Sequence, residues 1–318
     1  MDVALLSDDV LVVNAGSTSL KLTLVDREGE ARPVDVSAVP EVCAVGHRVV
    51  HGGSRFVEPV VIDDDVVAGI RAVSELAPLH NEPAIAASDE WRRRLPGVPH
   101  VAVFDTAFHA TIPEVARTYA LPARYRALGI RRYGFHGIAV QSVVERVPTP
   151  RLVVCHLGGG SSVTAVLDGR SIDTTMGFTP LEGVPMGSRS GSVDPGALLY
   201  LLRHGVGVDE LADALERESG LVGLAGTADV EVLEQSDADE ARLALDVFAY
   251  RVAQAVAAMA VALGGVDVLA FTGGIGAHSR HVREAIAGRL DRLGIGRIVA
   301  LEAREERVIA NAVRTLLF

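Results

Sequence analysis

Lysine is the scarcest functional residue in this chain of 318 residues: of 30 basic side chains only Lys21 is one, and the other 29 are arginines. Arginine serves wherever a generic surface charge is needed, so the single lysine, set in a glycine and serine loop, reads as placed. Cysteine is nearly as rare. Cys43 and Cys155 both sit in apolar, strand-like contexts, which reads as two buried thiols and excludes a disulfide framework or a cysteine metal pair. An excess of positive charge is also lacking. The net charge of −11 argues against nucleic-acid and membrane partners, and requires that any anionic substrate be held by a few placed cations. No apolar run reaches the length of a bilayer span, and MDVALLSDDVLVVNAG has no basic flank and carries aspartates, unlike a signal peptide. A soluble cytoplasmic protein is expected. Hydrophobic content of 49% with 22% charged residues gives no sign of disorder, and the length favours two domains over one.

What the chain does have is glycine at the ends of apolar strands. Residues 10–25, VLVVNAGSTSLKLTLV, predict strand, tight turn and strand, with backbone N–H groups, Ser17, Ser19 and Lys21 able to cradle phosphate and Asn14 able to reach a metal or its water. A plain polar hairpin is the alternative. Residues 152–168, LVVCHLGGGSSVTAVLD, repeat the pattern, with His156, Gly158, Gly159 and Gly160 at the turn. This long-period duplication suggests two similar halves and a nucleotide held in a cleft between them. A third cluster, FTGGIGAHS, puts Gly274, Ile275 and Gly276 between a strand and a helix, a geometry that serves an anion or merely a tight packing turn.

Strands over 42–53 and 100–109 deliver Arg48, flanked by His47 and His51, and Asp105, followed by His109. A buried aspartate there needs a partner, because an unpaired buried charge is costly. RRYGFHG brings His136 without helical period, and APLHNEPAI, 77–85, reads as a proline-bounded loop carrying His80 and Asn81. Asp173–Gly191 is a long ordered loop holding Pro180, Pro185 and one isolated arginine, Arg189. Beyond residue 195 the pattern turns helical: 245–263 is apolar all round, and the last helix opens with acids including Glu305, which suit its dipole.

Taken in order, NAGSTSLK, GHRVVHGG, APLHN, FDTAFH, YGFHG, HLGGGSS, DTTMGFTPLEG with GSRSG, and FTGGIG resemble the acetate kinase family of carboxylate kinases. The resemblance spans nearly the whole chain. It implies an α/β fold of duplicated ribonuclease H-like domains, the actin-like ATPase superfamily of acetate and sugar kinases, Hsp70 and actin, with an active-site cleft between the domains. The implied domains are 1–107 plus 304–318, the C-terminal helix returning to the first, and 108–303, carrying most of the nucleotide site. Implied substrates are ATP (or ADP in reverse) and acetate or another short-chain acid, with Mg²⁺ or Mn²⁺ as cofactor and a homodimer as assembly.

Carried over by position, Arg48, Asp105, His136 and Arg189 are the catalytic residues, and Val50, Leu79 and Pro180 line the pocket for the methyl group of acetate. Ser17, Ser19, Lys21, His156, Gly158, Gly159, Gly160, Asp229, Gly274, Ile275 and Gly276 contact the nucleotide, while Asn14 and Glu305 are on the metal side. The family pattern is kept on the acceptor side. On the nucleotide side it departs at Gly159, Glu231, Ala277 and His278, and the segments after Lys21 and Gly276 are short. Those departures allow two alternatives: pyrophosphate or another nucleotide as donor, or a catalytically weak nucleotide-binding regulator.

Overall fold

The computed structural model describes residues 8–16 and 20–318, with backbone only at Pro78 and Leu79. Ser17 and Ser19 of the first glycine loop, and the side chain of Leu79, therefore lie outside the described residues. The chain divides into two compact units. One comprises the chain up to Ala110, Phe135–Ser142 and Arg304–Phe318; the other comprises Thr111–Gly134 and Val143–Ala303. By sequence 135–142 belongs to the second domain, but it joins the first unit because Ile138 enters the core of Val10, Val12, Val101 and Val103. The Gly137 N–H donates to the Asp105 carbonyl at 3.0 Å, and a Cβ at Gly137 would fall on that carbonyl, so only glycine permits the approach.

The first unit carries β1 Val10–Ala15, β2 Leu20–Val25, β3 Ala31–Pro33, β4 Ala44–Val49, β5 Val60–Val61 and β6 His100–Phe104 in the order β3-β2-β1-β4-β6-β5. β1, β2 and β3 run antiparallel in a meander, while β4 and then β6 add in parallel to β1. Alternation along β1 explains why both faces are covered. Val10 and Val12 pack with Ile309 and Val313 of the helix Glu305–Leu317, and Leu11 and Val13 pack with Trp91 of the helix Pro78–Arg94. Each such side chain, fully buried, stabilises by about 1.5–3 kcal/mol.

The helix Pro78–Arg94 corrects the loop expected over 77–85. Pro78 stands in the first turn, where a missing N–H would have no helical partner anyway, and Pro83 gives up only one further bond. Asn81 is fully buried in this helix. Its Oδ1 accepts from the His51 N–H and its Nδ2 donates to the His51 carbonyl, both at 3.0 Å, fixing the backbone two residues beyond β4.

The second unit carries β7 Arg151–Leu157, β8 Ser161–Leu167, β9 Arg170–Thr174, β10 Val268–Thr272 and β11 Arg297–Ala300, in the order β11-β10-β7-β8-β9. Again three strands run antiparallel and two add in parallel, β10 against β7 and β11 against β10. The two glycine-turn segments of the sequence are thus the same hairpin, β1–β2 and β7–β8, in two sheets of the same design. The helix Asp239–Leu263 is apolar enough, by length and composition, to cross a membrane, but Phe248, Val252 and Val256 are buried in this unit's core. It is not buried all round as expected, for Leu243, Tyr250 and Val261 on its other side are exposed. The cysteines are free thiols, Cys155 buried and Cys43 half-buried.

Candidate active site

In the first unit the parallel register of β4 and β6 sets Arg48 opposite Val103 and Val49 opposite Phe104, so Asp105 leaves the sheet beside Arg48. The guanidinium donates to Asp105 Oδ2 from Nε at 3.1 Å and from Nη2 at 2.7 Å. Its Nη1 lies 3.3 Å from the Glu305 carboxylate, at the first turn of the last helix. One cation therefore serves two carboxylates. Burial pushes the Asp105 carboxyl above its ordinary value, against the pull of Arg48 and with the push of Glu305. Burial works against the Arg48 charge too, but Asp105 and Glu305 outweigh it and hold the guanidinium above its ordinary value.

Asp105 is 1% exposed, and its Oδ1 has no hydrogen-bond partner among the described residues. Such an orphaned carboxylate oxygen fits a hard divalent cation or one of its waters. No group of three or more metal-ligating side chains gathers among the described residues. Glu305, expected on the metal side, is engaged by Arg48. Asn14 is half-buried at the end of β1. His136 follows Phe135 at the mouth of the helix Gly137–Val144 with φ 60°, a left-handed conformation rare outside glycine. Strain of about 1–3 kcal/mol at such a residue persists only where its surroundings fix it.

In the second unit a cavity of about 620 Å³ is lined by Gly158 and Gly159 of the β7–β8 turn, Asp229, and Gly274 and Ile275. This gathers five of the expected nucleotide residues from three segments far apart in sequence. Glu231, Glu234, Gln235, His278 and Ser279 complete its polar lining. Asp229 is already engaged, capping the helix Val230–Glu234 by accepting from the Glu231 N–H at 3.0 Å. The glycines of FTGGIG are not an open turn: with Gly273 at φ 77° the chain passes from β10 straight into the short helix Gly273–His278. Gly276 is buried, and His156 and Gly160 are half-buried beside the same turn. Lys21, in the first unit, is exposed on β2 opposite Asn14.

The Asp173–Gly191 loop belongs to the second unit. Arg189 is half-buried there, and among the described residues its Nη1 meets only neutral acceptors, the Pro180 carbonyl at 3.4 Å and the Met186 sulfur at 3.8 Å. Among the described residues no carboxylate comes within ion-pairing distance, and burial pushes the guanidinium below its ordinary value, opposed by the more distant Glu216. Arg48 is over-compensated by acids while Arg189 is not compensated. Sequence reasoning named Asn81 but put it in a loop rather than a helix, and gave no sign of Glu182, whose partners in the fold lie 50 and 63 residues away in sequence.

Two sheets of one design, each opening on a glycine hairpin, with a placed cation and a polar cavity in the second unit, define a phosphotransferase of the actin-like ATPase fold. Comparison with known proteins gives the family. The acetokinase family model matches residues 34–312. An acetate kinase of Deinococcus radiodurans is 52% identical over 268 residues, covering 80% of this chain and 67% of its own length. Among solved structures, a propionate kinase of Francisella tularensis superposes with a TM-score of 0.90 at 32% identity, covering 96% of this chain and 98% of its own. Porphyromonas gingivalis acetate kinase gives 0.87 at 30%, covering 98% and 100%. The chain belongs to the acetokinase family.

Proposed function

We propose that this protein transfers the γ-phosphoryl group of ATP to acetate, giving acetyl phosphate and ADP, and runs the reaction in either direction. The observation that carries the acceptor side is Arg189, a half-buried cation with no carboxylate partner among the described residues, next to Pro180. The acid is already ionised at neutral pH, so its oxygen needs no base before it attacks. What hinders the reaction is charge, one anion approaching a polyphosphate, and catalysis consists mostly of positioning and neutralisation. We assign Arg189 to the incoming carboxylate and the transferring group, and His136 to the phosphoryl oxygens. Asp105, committed to Arg48 through two hydrogen bonds, orients that guanidinium and offers Oδ1 to a metal-bound water. Mg²⁺, held through Asp105 and with Asn14 and Glu305 as the further candidates, would neutralise phosphate charge when bound. Val50 and Pro180, both half-buried, and Leu79 are assigned to the methyl end of the acid.

For the donor, Gly158, Gly159, Gly160, Gly274, Ile275 and Gly276 offer backbone to phosphates, aided by Ser17, Ser19, Lys21 and His156. The acidic lining by Asp229, Glu231 and Glu234 suits the hydroxyls and amine of a nucleoside, which donate hydrogen bonds, better than it suits bare pyrophosphate. A donor and acceptor screen tests this reading: acyl phosphate trapped as hydroxamate from ATP, Mg²⁺ and acetate supports it. No product with acetate, propionate or butyrate refutes it, and product with pyrophosphate but not ATP moves the donor.

A homodimer fits the second unit. The helix Pro195–Arg203 has no buried residue, and Leu199, Tyr200, Leu201 and Leu202 all stand exposed on it. Such a run of apolar side chains is what a second copy would cover. Free thiols and an ATP substrate suit the cytoplasm, and the net charge of −11 disfavours nucleic acid.

A further inference from the structure

We propose that Tyr119, Glu182 and Arg132 form a clamp whose task is to position Arg189 and Pro180 for the acceptor acid, making these three positioning residues for the transfer. The inference rests on the proposed acceptor role of the loop and goes beyond it by naming what holds the loop in shape.

Few of the loop's hydrogen bonds are internal, among them the Met186 N–H to the Arg189 carbonyl at 3.0 Å. From Asp173 to Gly191 it has no regular ladder past the end of β9, so its backbone groups must find other partners. Arg132 supplies three at once: its Nη1 donates to the carbonyls of Thr174, Thr175 and Met176 at 2.8, 2.9 and 3.1 Å. Its Nη2 donates to Glu182 Oε1 at 3.0 Å. One planar guanidinium thereby joins the first turn of the loop to a residue eight positions after Thr174. Tyr119 closes the other side, donating its hydroxyl to Glu182 Oε2 and accepting from the Phe178 N–H at 2.9 Å.

The segment 174–182 is thus tied at its start, middle and end through a single carboxylate. The fit leaves no slack at Gly177, where an added Cβ would fall on the Glu182 carboxylate and the Tyr119 hydroxyl. The Gly177 carbonyl also accepts from the N–H groups of Tyr133 and Gly134, at 3.0 and 3.3 Å.

Two consequences bear on Arg189. Pro180 lies inside the clamped span, and its carbonyl accepts from the Arg189 guanidinium, so the clamp sets where that acceptor sits. Within the clamp the Glu182 charge is answered by Arg132, which also lies 3.9 Å from the Asp173 carboxylate, and burial with the Glu182 carboxylate beside it pushes the Tyr119 phenol above its ordinary value, keeping it a donor. With its acid occupied, the loop presents Arg189 as an uncompensated cation. A loop of the same length without the clamp would leave Glu182 free to neutralise a nearby cation or to repel an incoming acid.

Hydrogen–deuterium exchange on the protein without substrates, and steady-state kinetics with acetate, test this in Tyr119→Phe, Glu182→Gln and Arg189→Lys. Tyr119→Phe is expected to speed amide exchange over 174–182 by about tenfold or more. It should lower kcat/KM for acetate by about 10- to 100-fold through misplacement, with KM for ATP changed less than about twofold. Glu182→Gln, which keeps an acceptor for Tyr119 but loses the charge opposite Arg132, should fall between wild type and Tyr119→Phe. In an Arg189→Lys background the Tyr119→Phe effect should shrink to less than about twofold, because the residue it positions has already been altered. Unchanged exchange over 174–182, or effects that simply multiply in the double variant, would overturn the clamp. If the wild type turns over no short-chain acid, the kinase reading fails, and exchange alone still decides whether the clamp exists.

Discussion

Arg48 and Arg189 are expected to matter equally for turnover and very differently for stability. Replacing Arg48 by alanine leaves Asp105, 1% exposed, as a buried carboxylate beside Glu305 with its cation gone. Breaking such a pair by removing one partner costs about 3–5 kcal/mol. At roughly 2–4 °C per kcal/mol for domains of this size, the melting temperature should fall by about 6–20 °C.

Arg189→Ala removes only a 3.4 Å bond to a carbonyl and a 3.8 Å contact to sulfur, along with a charge that burial already disfavours. A net loss of about 1 kcal/mol or less is expected. Each variant should nonetheless lose about 10²–10³ in kcat, as for the loss of one charged contact to a transition state. The pH dependence separates the two further. Without Arg48 the Asp105 carboxyl, already above its ordinary 3.8, rises more. A raised carboxyl favours the protonated folded form, so stability is retained at acid pH and lost as pH rises through the raised value. The Arg48→Ala deficit should therefore widen from acid to neutral pH, and the Arg189→Ala deficit should not. Circular dichroism melts across that range, with hydroxamate assays, read both. Equal melting losses, or full acetate turnover by Arg189→Ala, would refute the distinction between a compensated and an uncompensated cation.

Three further outcomes follow from the same structure. Gly177→Ala should destabilise by about 1–3 kcal/mol through overpacking and lower acetate turnover while the chain still folds; unaltered kinetics would mean that the loop absorbs the methyl. His47 is 1% exposed and held by burial, His100 and Arg92 at a pKa of about 3, below its ordinary 6.5. The folded state therefore resists its protonation, and stability is lost as pH falls from 6.5 toward 3, at about 1.4 kcal/mol per unit. Urea unfolding at pH 6.5 and 5 should show that fall, and His47→Gln should flatten it; an identical slope would contradict burial as its cause. Finally, Leu199→Glu with Tyr200→Glu should turn a dimer into a monomer in sedimentation, and a wild-type monomer would refute the assembly.

The parts legible in the sequence are those written in adjacent residues. Alternation in VLVVNAGSTSLKLTLV and LVVCHLGGGSSVTAVLD predicts two hairpins, and the sheets contain both in the same setting. The helix at Pro78 was hidden because its prolines stand where a helix start tolerates them, while the same residues signal a loop to a local reading. Pairings across long separations were hidden too. Arg48 and Asp105 are 57 residues apart and meet only through the register of β4 and β6. Glu182 finds Arg132 and Tyr119 at separations of 50 and 63. Single residue types pointed to cations, and the fold decided which of them would be neutralised.

Acyl phosphate formation is the most direct test of the central claim. Purified protein with ATP, Mg²⁺ and acetate, quenched into hydroxylamine, should yield hydroxamate that saturates in both substrates and falls by about 10²–10³ in Arg189→Ala. Hydroxamate formed at the same rate with and without Arg189, or none from any short-chain acid, would contradict it.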